Sequence, residues 1–287
     1  MEFDEKAQRV KILGHFLEKV AIVTGAASGI GEALGKALAK RGATVIMADI
    51  NVPGLNKVAE AIIDAGHVAE ATPLDVSRYE DVKKLVAETA SKHGRLDFIF
   101  NNAGIAVGAE VRDCSIDDWR DVLNTNLMGV VHGVASAYPL MVQQGFGHII
   151  NTASIEGLLP FPATVSYAAS KFGVVGLSNS LRIEGRDLGV KVSVVCPGYI
   201  KTPIFETSKM IKIDREKVLA DLPDRLGITP EECAGVILKG VERNKAIIVV
   251  TAMAKFLWML QRISPNLILW MMGRNLKKSR LEMRLED

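Results

Sequence analysis

Val20-Ala21-Ile22-Val23 runs without a break into Thr24-Gly25-Ala26-Ala27-Ser28-Gly29-Ile30-Gly31, and a helical pattern follows at once. The first four residues are apolar and mostly β-branched, the composition of a strand buried on both faces of a parallel sheet. Helical spacing then puts Leu34, Leu38 and Ala39 on one face and closes at Arg41-Gly42. A strand, a glycine-rich turn and a helix in that order make a phosphate-binding unit. Glycines let the backbone turn tightly and approach a diphosphate, while the helix N-terminus offers free N–H groups and the positive end of a dipole. A second strand, Thr44-Val45-Ile46-Met47-Ala48, ends at Asp49. That is the place where a carboxylate meets a nucleotide ribose. Further strand and helix patterns alternate along the chain, which predicts an α/β fold of Rossmann type, a doubly wound parallel sheet with helices on both faces.

A second feature carries chemistry. Tyr167-Ala168-Ala169-Ser170-Lys171 places a phenol and an ammonium four residues apart, on one face of a helix. A phenol titrates near pH ~10, so it is a poor acid–base group at neutral pH unless its surroundings intervene. A neighbouring cation favours the phenolate and brings it toward useful proton transfer.

The glycine spacing is GxxxGxG rather than GxGxxG, and several short motifs follow it in order. Asp75-Val76 closes the third strand, and Asn101-Asn102-Ala103-Gly104 follows the apolar Phe98-Ile99-Phe100. Asn126 lies in Asn124-Thr125-Asn126-Leu127-Met128-Gly129, Ser154 precedes Tyr167, and Pro197-Gly198 with Thr202 follows a strand at 192–195. This ordered set resembles the short-chain dehydrogenase/reductase family, over about residues 18–251.

The resemblance implies an oxidoreductase in which Tyr167 exchanges a proton with the substrate oxygen. Lys171 would hold the nicotinamide ribose and lower the Tyr167 pKa, Ser154 would bond the reacting oxygen, and Asn126 would hold a relay water. The phosphate loop would be Gly25, Ser28, Gly29, Ile30 and Gly31. Asp49 and Ile50 would meet the adenosine ribose, Asp75 and Val76 the adenine, and Asn102, Ala103 and Gly104 the adenosine half. Pro197, Gly198, Ile200 and Thr202 would lie at the nicotinamide end, the last two on its carboxamide. A carboxylate at Asp49 repels a 2′-phosphate, and Ser28 and Ile50 stand where NADP-preferring relatives carry basic residues, so NAD is the expected cofactor. No metal is implied. Two alternatives stay open, an NADPH-dependent carbonyl or acyl-carrier thioester reductase and a nucleotide-binding scaffold without activity.

The remaining readings bear on surroundings. A chain of 287 residues supports one large α/β domain. A net charge of +2 gives no field that suggests nucleic acid. Cys114, Cys196 and Cys233 are widely spaced with no CxxC pair, which fits a reducing, cytoplasmic setting. Residues 1–17 form an N-terminal extension without a signal peptide's apolar core, in which Val10, Ile12, Leu13, Phe16 and Leu17 suit a short amphipathic helix. By family precedent, 202–223 is the substrate segment. Ile204, Phe205, Met210, Ile211, Ile213, Leu219 and Leu222, with Leu158, Leu159, Pro160, Phe161, Ala106 and Val107, would line an apolar pocket. A hydrophobic secondary alcohol or its ketone fits such a pocket: steroid-like, retinoid-like, long-chain or aryl-alkyl. Family precedent also implies a homodimer or homotetramer.

The segment 252–287 is a further extension. Ser264-Pro265 reads as a helix start, and Trp258, Trp270 and a basic run of Arg274, Lys277, Lys278, Arg280 and Arg284 flank short apolar stretches. Those stretches fall short of the ~20 residues a bilayer span needs. The segment suits peripheral contact with a membrane surface, a cover over the substrate mouth, or an interface between subunits.

Overall fold

The computed structural model describes residues 14–222 and 227–285. Val10, Ile12, Leu13 and Pro223 lie outside the described residues. Seven parallel strands form the central sheet: β1 (Val20–Thr24), β2 (Thr44–Asp49), β3 (Ala69–Pro73), β4 (Phe98–Asn101), β6 (Gly147–Thr152), β7 (Val190–Cys196) and β9 (Ile247–Val249). Their order is β3-β2-β1-β4-β6-β7-β9. Two short strands, β5 (Val107–Gly108) and β8 (Lys209–Met210), pair with each other above the main sheet's carboxyl ends. The third strand stops at Pro73, two residues short of the Asp75 that the sequence pattern places at its end.

Helices cover both faces: α1 (Gly29–Ala39), α2 (Val52–Asp64), α3 (Tyr79–His93), α4 (Ile116–Leu123), α5 (Gly129–Gln144) and α6 (Val165–Gly185), with α9 (Pro230–Glu242) later in the chain. Between α6 and α9 lie two short helices, α7 (Ile204–Thr207) and α8 (Arg215–Ala220). Strand alternation divides the core into two layers. Ala21 and Val23 of β1, with Val45 and Met47 of β2, pack under Leu34 and Leu38 of α1 and Ile237 of α9. Val20 and Ile22, with Ile46 and Ala48, pack against Val82 and Leu85 of α3 and Met141 of α5. All five residues of β1 are buried, as expected for the middle of a doubly covered sheet.

The strand order reverses between β1 and β4, which opens a crevice at their carboxyl ends, the usual ligand position in such sheets. Beyond β9 the chain forms α10 (Ala252–Ile263) and α11 (Pro265–Glu282). Pro265 holds the first helical position as the sequence suggests, but the Ser264 side chain makes no capping bond; its carbonyl accepts from Leu267 and Ile268 instead. Among the described residues, no helix is long and apolar enough to cross a membrane.

Candidate active site

One continuous cavity of about 750 Å³ runs along the crevice. At one end the β1–α1 turn supplies Gly25, Ser28, Gly29 and Ile30. Gly25 has φ +67°, and a Cβ there would stand 2.8 Å from the Ala103 Cα, so the turn and the loop after β4 touch backbone to backbone. Gly31 is not on the cavity wall. It lets α1 start directly against the turn, since a Cβ would lie 2.0 Å from the Gly25 carbonyl oxygen. The first amides of α1 lie outside that helix's own ladder and face the same end.

Thr24, quoted in the sequence only as part of the turn, joins the two loops. Its Oγ1 accepts from the amides of Asn102 (2.9 Å) and Ala103 (3.1 Å), and Asn102 Nδ2 donates to the Thr24 carbonyl at 3.1 Å. Asp49, on the wall at the end of β2, accepts from Ala27 N through Oδ2 (2.9 Å) and from Asn51 N through Oδ1 (2.8 Å). Each oxygen keeps a lone pair for a further donor. Ile50, Asp75 and Val76 line the same half, with Asp75 held by Ser77 N and Oγ at 2.9 and 2.7 Å, and Gly104 lines the cavity beside Lys171.

The other half gathers Ser154, Tyr167 and Lys171 with Pro197, Gly198, Ile200 and Thr202. Ser154 ends the loop after β6 and accepts from Glu156 N at 3.1 Å. Tyr167 and Lys171 sit on the first turns of α6, with the ammonium 5.4 Å from the phenol ring centroid. Lys171 is buried and donates to the Thr152 carbonyl at 2.9 Å. Asn126 does not reach the cavity. It lies, fully buried, in a π-helical turn (Asn124–Met128) that joins α4 to α5, a distortion often found at functional sites. Its Oδ1 accepts from Ile105 N (2.8 Å), and Nδ2 donates to Ile105 O (2.9 Å) and Ser170 Oγ (3.3 Å).

The electrostatics differ from the sequence expectation. Burial, and then the nearby Glu156 carboxylate, raise the Tyr167 pKa above that of a free phenol, against a hydrogen bond with Ser154 that lowers it. Burial also pushes Lys171 down to about 8. The cation on the helix therefore does not by itself depress the phenol in this protein, because the low-dielectric wall penalises both charged forms. Glu156 is a site residue the sequence reading missed. A lone glutamate two residues after a serine carries no pattern, and only the fold turns it into the cavity wall.

The apolar lining is narrower than the sequence suggests. Phe161, Ile204, Phe205, Met210, Leu222 and Ala106 reach the cavity. Leu158 and Leu159 instead pack in the core beside α6, and Val107 and Ile211 form a small cluster with Val122. The carboxyl-terminal extension adds Met253, Ala254 and Leu257 of α10 to the wall.

The chain's far end packs on the loop after β5 and on the segment that follows β8. Arg280 donates to Glu110 through Nε (3.0 Å) and Nη2 (2.6 Å), and Arg284 reaches Asp113 at 2.8 and 3.1 Å. The backbone of Met283 accepts from Asp214 N, and Leu285 N donates to Lys212 O. The end of the extension thus clasps the β8 segment to the loop after β5. Glu110 is held below the usual carboxylate range, chiefly by the Arg280 hydrogen bond. Replacing both Arg280 and Arg284 by alanine is expected to speed amide hydrogen exchange across 209–214 while leaving β1 and β4 unchanged. Uniform exchange in variant and wild type would remove the clasp.

The doubly wound sheet and the glycine-lined crevice define a nucleotide-binding oxidoreductase of a known class. A family model described as short chain dehydrogenase matches residues 19–211, and the chain belongs to that family. It is 38% identical over 226 residues to the cyclohexanol dehydrogenase of Acinetobacter sp. (strain SE19), covering 77% of this chain and 87% of that one. It is 37% identical over 221 residues to the 3-oxoacyl-(acyl-carrier-protein) reductase FabG of Thermotoga maritima, covering 77% and 89%. A solved short chain dehydrogenase/reductase from Burkholderia phymatum, in complex with NAD, superposes with a TM-score of 0.79 at 28% identity, over 88% of this chain and 95% of that one. The chain is accordingly an oxidoreductase that binds NAD(P).

Proposed function

We propose that this protein is an NAD-preferring dehydrogenase of hydrophobic secondary alcohols, acting reversibly on the corresponding ketones. The observation that carries the reading is the placement of Ser154, Tyr167 and Lys171 in one cavity with Asp49 at its far end and an apolar wall opposite. The residues fit a nicotinamide dinucleotide. Gly25, Ser28, Gly29 and Ile30 line the cavity at the start of α1, where free amides suit a diphosphate, and the Asp49 oxygens have lone pairs for ribose hydroxyls. Gly25, Ser28, Gly29 and Ile30 would hold the diphosphate, with Gly31 supporting the turn. Asp49, Ile50, Asp75, Val76, Asn102, Ala103 and Gly104 would hold the adenosine half. Lys171, Pro197, Gly198, Ile200 and Thr202 would hold the nicotinamide half.

The bound nicotinamide supplies or accepts the hydride. The chain supplies the proton and the geometry. Ser154 Oγ hydrogen-bonds the reacting oxygen and holds it beside the Tyr167 hydroxyl. In the reducing direction Tyr167 donates its proton to that oxygen. The raised pKa of the half-buried phenol keeps that proton in place at neutral pH. In the oxidising direction Tyr167 accepts the alcohol proton, and Lys171 is the cation beside the phenolate that results. Asn126, fixed on the Ile105 backbone behind the wall, holds the loop against which Lys171 packs; a Cβ on Gly104 would lie 3.2 Å from Asn126 Oδ1 and 3.4 Å from Lys171 Nζ.

The same reading makes 18–251 the catalytic unit and 252–287 a cover over the substrate mouth. That placement rests on the Arg280 and Arg284 contacts and on Met253 and Leu257 in the wall. It also includes a homodimer or homotetramer, as family precedent implies.

The test is NADH formation with purified protein and a panel of hydrophobic secondary alcohols, with NADP in parallel. Turnover with NAD on one chemical class supports the reading, and silence toward every alcohol and ketone in both directions overturns it. Faster turnover with NADP would overturn the cofactor choice alone. Asp49→Asn keeps the side chain's shape and removes its charge. It is expected to lower the NAD-to-NADP preference about tenfold, the ratio that ~1.4 kcal/mol produces. An unchanged preference would take Asp49 away from the ribose.

A further inference from the structure

Four charged side chains line the cavity among the described residues: Asp49, Asp75, Lys171 and Glu156. The first three have places in the reading above. Glu156 does not, and its position is built with some care. It sits in the single turn Ile155–Gly157 that starts at Ser154, and its amide donates to Ser154 Oγ. Gly157 presses that turn onto α6, where a Cβ would fall 2.6 Å from the Lys171 carbonyl oxygen. The carboxyl is held by Thr164, whose Oγ1 donates to Oε2 at 2.6 Å. Thr164 is the residue just before α6, where a hydroxyl normally caps its own helix. It makes no such bond and turns to Glu156 instead. The residue before it, Ala163, is in the left-handed region at φ +62°, a costly conformation for a residue with a Cβ and one that collects at functional sites. Among the described residues no donor is placed on Oε1, and the side chain borders the cavity.

We propose that Glu156 is a substrate-recognition residue. It selects, among apolar secondary alcohols and ketones, those carrying a second hydroxyl or an amine within a few bonds of the reacting carbon, and it rejects those carrying a carboxylate. The proposal rests on the dehydrogenase reading above and names its substrate class more closely. Glu156 is half-buried, and a carboxyl oxygen on a largely apolar cavity becomes an expensive group to leave without a partner once a bound substrate displaces solvent from it. A substrate donor placed on Oε1 removes that cost, whereas an analogue lacking the donor leaves it, which is how a polar group discriminates strongly inside an apolar pocket. A substrate carboxylate would meet a like charge in a low-dielectric site. The groups facing Glu156 are Thr164, and Tyr167 and Lys171 of α6. Burial pushes its carboxyl up to about 7, against the Thr164 hydrogen bond and the Lys171 charge, so rejection of anionic substrates strengthens as pH rises through neutrality.

The experiment compares kcat/KM for cyclohexanol, a cyclohexanediol and the matching hydroxycyclohexanecarboxylate in wild type, Glu156→Gln and Glu156→Leu. Gln keeps the shape and the Thr164 bond but removes the charge; Leu removes both. The wild type is expected to favour the diol over cyclohexanol and to discriminate against the carboxylate, each about tenfold, the ratio given by ~1.4 kcal/mol. Gln is expected to keep the diol preference and lose the carboxylate discrimination, and Leu to lose both. Equal changes on all three probes would overturn the proposal and leave Glu156 as a group that only tunes Tyr167. Ligand-induced melting shifts of the cofactor-free protein with the same probes give a readout without turnover. A diol shift that is present in wild type and lost in Leu supports recognition even where no alcohol is oxidised, in which case the dehydrogenase reading alone fails. Cyclohexanol turnover with unchanged selectivity ratios and melting shifts overturns the Glu156 proposal alone.

Discussion

Replacing Tyr167 by phenylalanine is expected to lower kcat/KM about 10³-fold, within the 10²–10⁴ that positioned acid–base groups contribute. NADH binding should stay within a few-fold of wild type. The substitution removes one hydroxyl and nothing else from the wall. The ring keeps its place above Lys171, whose bond to the Thr152 carbonyl does not involve the phenol. Ser170 Oγ donates to the Tyr167 main-chain carbonyl, which phenylalanine retains. The fold should therefore persist, and a fluorescence titration of NADH separates loss of chemistry from loss of the site. A variant as active as wild type would end the acid–base assignment. A variant that neither turns over nor binds cofactor would place Tyr167 in the architecture of the crevice instead.

The chemistry of this site was far more legible in the chain than its boundaries. The β1–α1 turn, Asp49 and the Tyr167–Lys171 pair each depend on local order, and all reach one cavity because parallel strands deliver their carboxyl ends to the same edge. Gly31 and Asn126 were found by the same motifs yet stand behind the wall, since a motif marks a necessary residue without saying whether it touches ligand. Glu156 could not be seen. Its role depends on a turn pinned by Gly157 and on Thr164, eight residues away. The clasp was equally hidden, because Glu110 and Arg280 are 170 positions apart and only tertiary folding makes them partners. The basic run that contains Arg280 and Arg284 suited an anionic surface as well as it suited the acids of its own chain. In the fold, Arg280 pairs with Glu110 and Arg284 with Asp113.

The second large effect concerns stability and lies at the amino-terminal end of β6, off the cavity wall. His148 on β6 is buried, with Nε2 2.9 Å from Ser193 Oγ. Ser193 already donates its hydroxyl hydrogen to the Lys245 carbonyl at 2.6 Å, so Nε2 must be the donor to Ser193 and Nδ1 the unprotonated nitrogen. Nδ1 is buried without a hydrogen-bond partner among the described residues. A proton added there would be a buried, unpartnered charge. Burial, helped by the charges of Lys191 and Arg182, pushes the imidazole down to about 3. Between pH ~6.5, where an unfolded histidine titrates, and about 3, the unfolded chain binds a proton that the folded chain refuses. Folding stability from this residue is thus complete above ~6.5 and falls as pH drops, by about 3 kcal/mol at pH ~4. Urea unfolding at pH ~7 and ~4 should show that loss in wild type. In His148→Leu, which cannot titrate, the difference between the two pH values should shrink by roughly that amount, although the variant starts less stable at neutral pH through the loss of the Ser193 bond. The comparison of pH slopes isolates the proton from the packing, because the packing change enters both pH values equally. An unchanged slope would mean that other groups govern the acid limb and that His148 admits its proton without unfolding the strand.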